Sequence, residues 1–401
     1  MTTVEDVLRF PFTRADPLRP PEEYGRLRET APVCRVTLWD GSWAWLLTRY
    51  EDVRAVLYDK TSSADTLNPN LPHPSPAAKA AKQGQRFFSR MDPPEHDIHR
   101  RMLAAAFAIK AIERMRPRVT ELIGRLLDDM RDRGGPVDIV TALGEPIPGA
   151  MICDLLGLPE SDAAFFLDRL SASLDYSATP EQIQVAAGEL QDYFLELVES
   201  RAREPRDDLT SRLVTVQMAE GLLGREELAR MLWLLLIGGF DTTINVISLG
   251  TQLLIEYPDQ ADDLRTHPEI ADNAAEELLR YITVTHNVAV RAATRDLELS
   301  GQPIRVGDGL IAPLAAANWD PSVFPEPRRL DLRRANAHAQ LGFGFGIHQC
   351  LGQALARLEL RVLFPELVRR FPGLRLADDR AELRYKPEAM IYGVASLPVT
   401  W

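Results

Sequence analysis

Cysteine is scarce in this chain: Cys34, Cys153 and Cys350 are the only three among 401 residues, an odd number set far apart. That excludes a disulfide framework and suits a reducing compartment. No C-x-x-C-H run is present, which excludes covalent c-type haem attachment, and His348 and Cys350 stand almost alone, without the grouped ligands of a zinc site. Lysine is rare too, at five residues, so arginine carries most of the positive charge. Positive charge is itself in deficit. With 46 basic and 58 acidic residues the net charge is −12, which argues against general nucleic-acid binding. Long apolar runs are missing as well. The start, Met1-Thr2-Thr3-Val4-Glu5-Asp6, is acidic and lacks the apolar core of a signal peptide, and the most apolar run, 231–240, is stopped by Asp241 before it could span a bilayer. These absences lead us to expect a soluble, cytoplasmic protein.

What is present reads as one globular domain spanning 1–401. Hydrophobic content of 45% and charged content of 26% are ordinary, and neither a Gly/Ser linker, a composition break nor an internal repeat divides the chain. The stretch 33–48 alternates, is rich in Trp and Val, and holds Asp40-Gly41 at its middle, a hairpin signal. A short helix is expected over 50–59, then a long loop over 61–90, of a length that is usually functional. Pro93 and Pro94 suit the first turn of the next helix. Helical periodicity fills 97–133 and 147–202, and the longest helical pattern runs over 225–256, ending before Pro258. The fold class is therefore mainly α with small β-sheets (α+β), the sheets lying near the N-terminus and after residue 281.

The run 343–352 is the most informative. Gly344, Gly346 and Gly352 space a loop that ends in Cys350 and leads into a helical pattern from Gln353. Glycines permit positive φ and close approach by a flat ligand. A thiol at a helix N-terminus has its thiolate favoured by the dipole and the unpaired N–H groups, and such a thiolate is a strong axial ligand for haem iron. A dinucleotide fingerprint fails, because counting from Gly344 puts Gln349 at the third glycine. A structural cysteine after a Gly-rich turn is the plainer alternative for a lone Cys. The surrounding pattern tells against it: Phe343, Gly346, Cys350 and Gly352 fit F-x-x-G-x-x-x-C-x-G, which resembles the haem-binding loop of the cytochrome P450 family.

The resemblance extends from residue 85 to the C-terminus and is closest to soluble actinomycete members. Gly238-Gly239 in mid-helix costs about 1 kcal/mol per Gly relative to Ala, so something must compensate. Either a helix crossing or a flat ligand against the backbone would do so. A mid-helix Thr242 can bond the i−4 carbonyl and open the helix locally. Gly239, Asp241 and Thr242 match the family's oxygen-binding groove, A/G-G-x-D/E-T, with Gly238 as the variant first position. Glu277 falls within the apolar stripe of Ile270, Ala274, Leu278 and Tyr281, and Arg280 lies within reach on the same face. The pair matches the family's E-x-x-R, and Arg329 matches the arginine completing that structural triad. The cations at family positions for the haem propionates are His96, Arg100, Arg291 and His348. Two departures stand out. Pro365 removes a bond to the Arg361 carbonyl, predicting a kink or early end of the helix after Cys350, and Gln340-Leu341-Gly342 is an unusual approach to the loop.

The resemblance implies haem b held between a long central helix and the Cys-loop helix, with Cys350 as metal ligand, and a monooxygenase that uses O2 to hydroxylate or epoxidise an apolar small molecule in secondary metabolism or xenobiotic oxidation. Asp241 and Thr242 would guide protons. Expected substrate contacts come from the 61–90 loop, 170–193, Leu235, Phe240, His286, Asn287, Val288, Val290, Met390 and Ile391. Ferredoxin and ferredoxin reductase would donate electrons to a monomer without a membrane anchor. The segment 86–118 carries eight cations against four acids, so it is +4 while the remainder is −16, a contrast suited to an acidic donor. Oxidative coupling or peroxide-driven oxidation is the alternative within the enzyme class. A haem carrier without turnover would be expected to lack the Asp-Thr pair, and a haem-free helical scaffold would show no Soret band.

Overall fold

The computed structural model describes residues 8–401 except 77, 78, 80–85, 175–178, 286–288 and 388. The chain folds as two compact units, one made of residues up to 97 together with 276–350, the other of 98–275 together with 351–401.

The first unit is built on a five-stranded sheet in the order β1-β2-β8-β5-β3. Here β1 is Val33–Thr37, β2 Trp43–Leu47, β3 Ser62–Ser63, β5 Val290–Ala293 and β8 Gly309–Ile311. The expected hairpin forms with Val33 opposite Leu47 and Thr37 opposite Trp43, turning through Gly41 at φ +83°. A residue other than glycine is strained there. β2 then pairs in parallel with β8, Trp45 beside Leu310. Both faces of β2 are covered. Trp45 and Leu47 join a core with Val53, Val56 and Leu57, whereas Ala44 and Leu46 join another with Tyr24, Val36 and Ile311. A strand buried on both sides reads as an unbroken apolar run, which is why Trp-Ala-Trp-Leu-Leu lacks polar alternation. The expected helix follows at Tyr50–Tyr58.

The second unit is organised on the helix Arg225–Glu256, with the bounds its periodicity predicts. Gly224 stands at its N-cap, and its N–H donates to Glu227 Oε2 at 3.3 Å. The helix is long and apolar enough to cross a membrane, yet 67% of its most apolar window is buried within the protein, as in a core helix. Pro146–Leu156 and Pro180–Arg203 pack along it. A three-stranded sheet, β4 (Val137–Asp138), β10 (Pro398–Thr400) and β9 (Arg375–Leu376), joins distant segments of this unit. The two-residue β4 carries no sequence signal of its own.

The helix Gln353–Arg370 corrects an expectation: it runs through Pro365 without ending there. Packing outweighs the lost hydrogen bond. Phe364 and Leu367 are buried on either side of the proline, and Arg370 donates to the Gly124 carbonyl and Asp128 of the helix Arg116–Arg133, at 3.1 and 3.0 Å.

Candidate active site

The loop carrying Cys350 is fixed by backbone geometry. Gly344 and Gly346 adopt φ +70° and +75°, and a Cβ on Gly346 would fall 2.3 Å from the Leu57 carbonyl oxygen. Only glycine lets the loop lie against the end of the Tyr50–Tyr58 helix. Phe345 then contacts Tyr58, ring centroids 5.9 Å apart, under the Arg54 guanidinium at 4.4 Å. The Cys350 N–H donates to the Phe343 carbonyl at 2.8 Å, closing the loop and leaving the half-buried cysteine at its end. Gly352 holds the N-cap of the following helix, its carbonyl accepting from the N–H groups of Leu355 and Ala356.

The unusual approach Gln340-Leu341-Gly342 has a local explanation. Gln340 donates to Glu276 at 3.0 Å and accepts from the Gly342 N–H, while the Leu341 N–H donates to Asn318 Oδ1 at 2.7 Å. The approach is clamped by side chains rather than by a regular element.

Those clamps lead to the buried ion pair. Arg280 grips Glu277 bidentately, Nε to Oε2 at 2.7 Å and Nη2 to Oε1 at 2.8 Å, and both side chains are fully buried. Removing one partner of such a pair strands a buried charge. The triad's third member is Arg334, whose Nε donates to Glu277 Oε2 at 3.0 Å. Arg329 does not complete the triad. Its side chain is 63% exposed and reaches only Glu326, at 3.9 Å, while its carbonyl accepts from Arg334 at 2.9 Å. The reason is a turn: the Asp331 N–H donates to Glu277 Oε1 at 3.1 Å, and the Arg334 N–H closes onto the Asp331 carbonyl at 2.9 Å, which brings Arg334 rather than Arg329 to the carboxylate. Arg280 also donates to the Asn318 carbonyl at 3.0 Å, and Asn318 holds Leu341, so the triad bears on the cysteine loop through one residue.

Three of the four expected propionate cations belong to the first unit. The rings of His96 and His348 lie 4.4 Å apart, with His96 nearly fully buried. Arg291 in β5 is buried and donates to the Val290 carbonyl at 2.8 Å. Burial, then the neighbouring Arg90 charge, pushes the Arg291 guanidinium down to about 10, with Asp92 opposing. Asp92 is held by Ser63 Oγ at 2.5 Å and the Ala64 N–H at 2.8 Å. Buried cations that disfavour one another suit an anion, so the chemistry of this donor set fits haem carboxylates. Arg90 was not foreseen from sequence. Arg100 lies in the second unit, one turn beyond His96 on the helix Glu95–Ala104. Among the described residues no three His, Cys, Asp or Glu side chains gather as a metal-binding group, so iron at Cys350 would need a cofactor to carry it.

On the long helix the two readings of Gly238-Gly239 divide between the residues. A Cβ on Gly239 would sit 3.1 Å from Ile152, so this glycine serves a helix crossing. A Cβ on Gly238 would meet no protein atom within 4 Å, so this face can take a flat ligand against the backbone. Thr242 Oγ1 donates to the Gly238 carbonyl at 2.8 Å, as expected, although the helix continues unbroken. Asp241 is half-buried and accepts from Asn245 Nδ2 at 3.0 Å. Burial, above all, pushes its carboxyl up, while Lys386 and then the Asn245 hydrogen bond pull it down.

The substrate expectations fare unevenly. Phe240 is buried against Gly149 of the Pro146–Leu156 helix, and Val290 is buried in the core of the sheet. Leu235 is buried, Ile391 half-buried and Met390 36% exposed. His286, Asn287, Val288 and parts of 61–90 and 170–193 lie outside the described residues.

Comparison with known proteins identifies the family. The family model described as Cytochrome P450 matches residues 167–388. The chain is 42% identical to Cytochrome P450-SU2 of Streptomyces griseolus across all of both chains. It is 40% identical to Vitamin D3 dihydroxylase of Streptomyces griseolus, covering 99% of this chain and 97% of that one. The crystal structure of GfsF, a cytochrome P450 of Streptomyces halstedii, superposes with a TM-score of 0.93 at 38% identity over 98% of this chain and 100% of that one. The family brings a haem-iron cofactor and the use of O2, an organic substrate and a redox partner. The chain belongs to the cytochrome P450 family and is a monooxygenase of the bacterial, actinomycete type.

Proposed function

We propose that this protein binds haem b through the Cys350 thiolate and oxidises an apolar small molecule. The observation that carries the reading is the Gly346-anchored loop, whose contact with Leu57 and closure onto Phe343 fix the backbone of half-buried Cys350 at the loop's end. Bound haem supplies the activation of O2 and the insertion of one oxygen atom into the substrate. The protein's part is to hold, orient and deliver protons. Cys350 Sγ donates electron density to the iron. Phe343 and Gly352 shape the loop, and His96, Arg100, Arg291 and His348 neutralise the propionates. Gly238, with no side chain, would leave the helix backbone open to the cofactor, while Gly239 keeps the helix crossing with Ile152. Thr242 Oγ1 holds a proton in its hydrogen bond to Gly238 and can turn to donate it. Asp241, about 100° round the helix, resupplies that hydroxyl from solvent.

Leu235, Met390 and Ile391 are the described side chains we assign to the substrate, with Val288 from the expected set. A relative named for dihydroxylating vitamin D3 supports an apolar substrate. Electrons come from a ferredoxin and its reductase, delivered to a cytoplasmic monomer that works as one domain over 1–401. The decisive experiment is the reduced carbon monoxide spectrum. Wild type, Cys34→Ala and Cys153→Ala are expected to give the long-wavelength Soret band of a thiolate-ligated haem, and Cys350→Ala to lose it. Persistence of the band in Cys350→Ala refutes the ligand assignment.

A further inference from the structure

The second unit holds a charged group that the relay reading leaves unused. Asn245 is fully buried, and its Nδ2 donates to both the backbone carbonyl of Asp241, at 2.7 Å, and Oδ1 of the same residue, at 3.0 Å. With the amide nitrogen so engaged, Asn245 Oδ1 turns towards Gly393, where a Cβ would fall 1.6 Å from it. Gly393 must therefore lack a side chain for Asn245 to keep its grip on Asp241. Gly393 belongs to a short antiparallel ladder near the C-terminus. The Lys386 N–H donates to the Gly393 carbonyl at 2.9 Å, Tyr385 bridges Val394, and the Ala395 N–H donates to the Arg384 carbonyl at 2.8 Å. Lys386 is thus the cross-strand partner of the residue that touches Asp241's clamp.

We propose that Lys386 is a positioning residue of the oxygenase, its ammonium serving as the charge partner of Asp241, with Glu145 as a second acid that competes for the same charge. This rests on the reading of Asp241 as a proton relay. Among the described residues of this unit, Lys386 is the charged group that acts on Asp241. Glu145, which precedes the Pro146–Leu156 helix, is raised by burial and then by Asp138, and is pulled back by the same Lys386. The charge of Lys386 thus acts on two half-buried acids. A lysine suits this task because its ammonium is a compact charge on a mobile stem, able to follow whichever acid is ionised.

The test titrates the Asp241 carboxyl by infrared difference spectroscopy on the holoprotein, with Asp241→Asn in each background to identify the band. Lys386→Gln is expected to move the midpoint upward by about one pH unit, the order of effect of one nearby charge. Lys386→Arg keeps the charge and the ladder and is expected to restore it. Glu145→Gln is expected to move the midpoint the opposite way, because it frees Lys386 and removes a like charge. An unmoved midpoint in Lys386→Gln, with haem content and far-UV circular dichroism preserved, overturns the assignment. The pH profile of product formed per electron consumed, measured on the same variants, judges the relay separately. If the infrared midpoint moves and this profile does not, Lys386 is still the partner of Asp241, and the relay reading falls.

Discussion

Glu359 offers a perturbation whose size follows from its position. It lies on the Gln353–Arg370 helix one turn from Leu355 and Leu363, both buried, and is itself only 1% exposed. Burial pushes its carboxyl from the ordinary 4.5 up to about 8. The acid is thus neutral in the folded protein across a range where the unfolded chain has already lost the proton. With the folded value above the unfolded one, its contribution to stability is fully present below 4.5 and is lost as pH rises through 8. The slope in between is about −1.4 kcal/mol per pH unit, and the loss by pH 7 is about 3 kcal/mol. Glu359→Gln keeps the shape and removes the titration. Urea unfolding of the holoprotein, followed by far-UV circular dichroism at about pH 5.5 and about pH 7.5, should show the variant gaining about 3 kcal/mol on wild type between the two. All other titrations cancel in that difference. If the two proteins change in parallel, Glu359 does not titrate in this window and the burial argument is refuted.

The triad assignment predicts that Arg334→Ala destabilises by about 3–5 kcal/mol, since it leaves Glu277 less compensated in the core, whereas Arg329→Ala stays within about 0.5 kcal/mol; thermal or chemical unfolding of the pair separates them, and equal effects would return Arg329 to the triad. The charge contrast of 86–118 predicts that reduction by a ferredoxin slows with added salt and with Arg101→Glu or Arg114→Glu; stopped-flow rates that ignore both would move the docking surface elsewhere.

The sequence was informative where a local rule decides the outcome. The helix Arg225–Glu256 was legible because its apolar residues continue without a breaker until Pro258, and the β1–β2 turn because Asp40-Gly41 sits between two β-rich runs. The buried Glu277-Arg280 pair was legible from its place in an apolar stripe together with the resemblance of its motif to the family's E-x-x-R. Arg334 was missed because the local match Pro-Arg-Arg favoured Arg329, and the turn that carries Arg334 back to Glu277 depends on the tertiary contact of the Asp331 N–H with that carboxylate. Pro365 misled because a backbone rule was weighed without the tertiary contacts of Phe364, Leu367 and Arg370. Arg90 and Lys386 act across long sequence separations, and no local pattern announces them.

The pairing of β2 with β8 bears on how the protein is made. Trp45 must wait for Leu310 before its strand gains its parallel neighbour, and closing so long a loop costs about 5 kcal/mol of chain entropy. Tyr50 likewise waits for the Ala339 carbonyl that its hydroxyl bonds, at a separation of 289 residues. During synthesis the N-terminal hairpin leaves the ribosome early and carries the apolar edge Trp-Ala-Trp-Leu-Leu with no partner until most of the chain has followed. The cysteine loop is anchored on the Tyr50–Tyr58 helix, so it cannot acquire its final shape on a shortened chain. A nascent polypeptide released before residue 350 would hold neither the thiol nor the turn that presents it, which ties cofactor capture to completed translation.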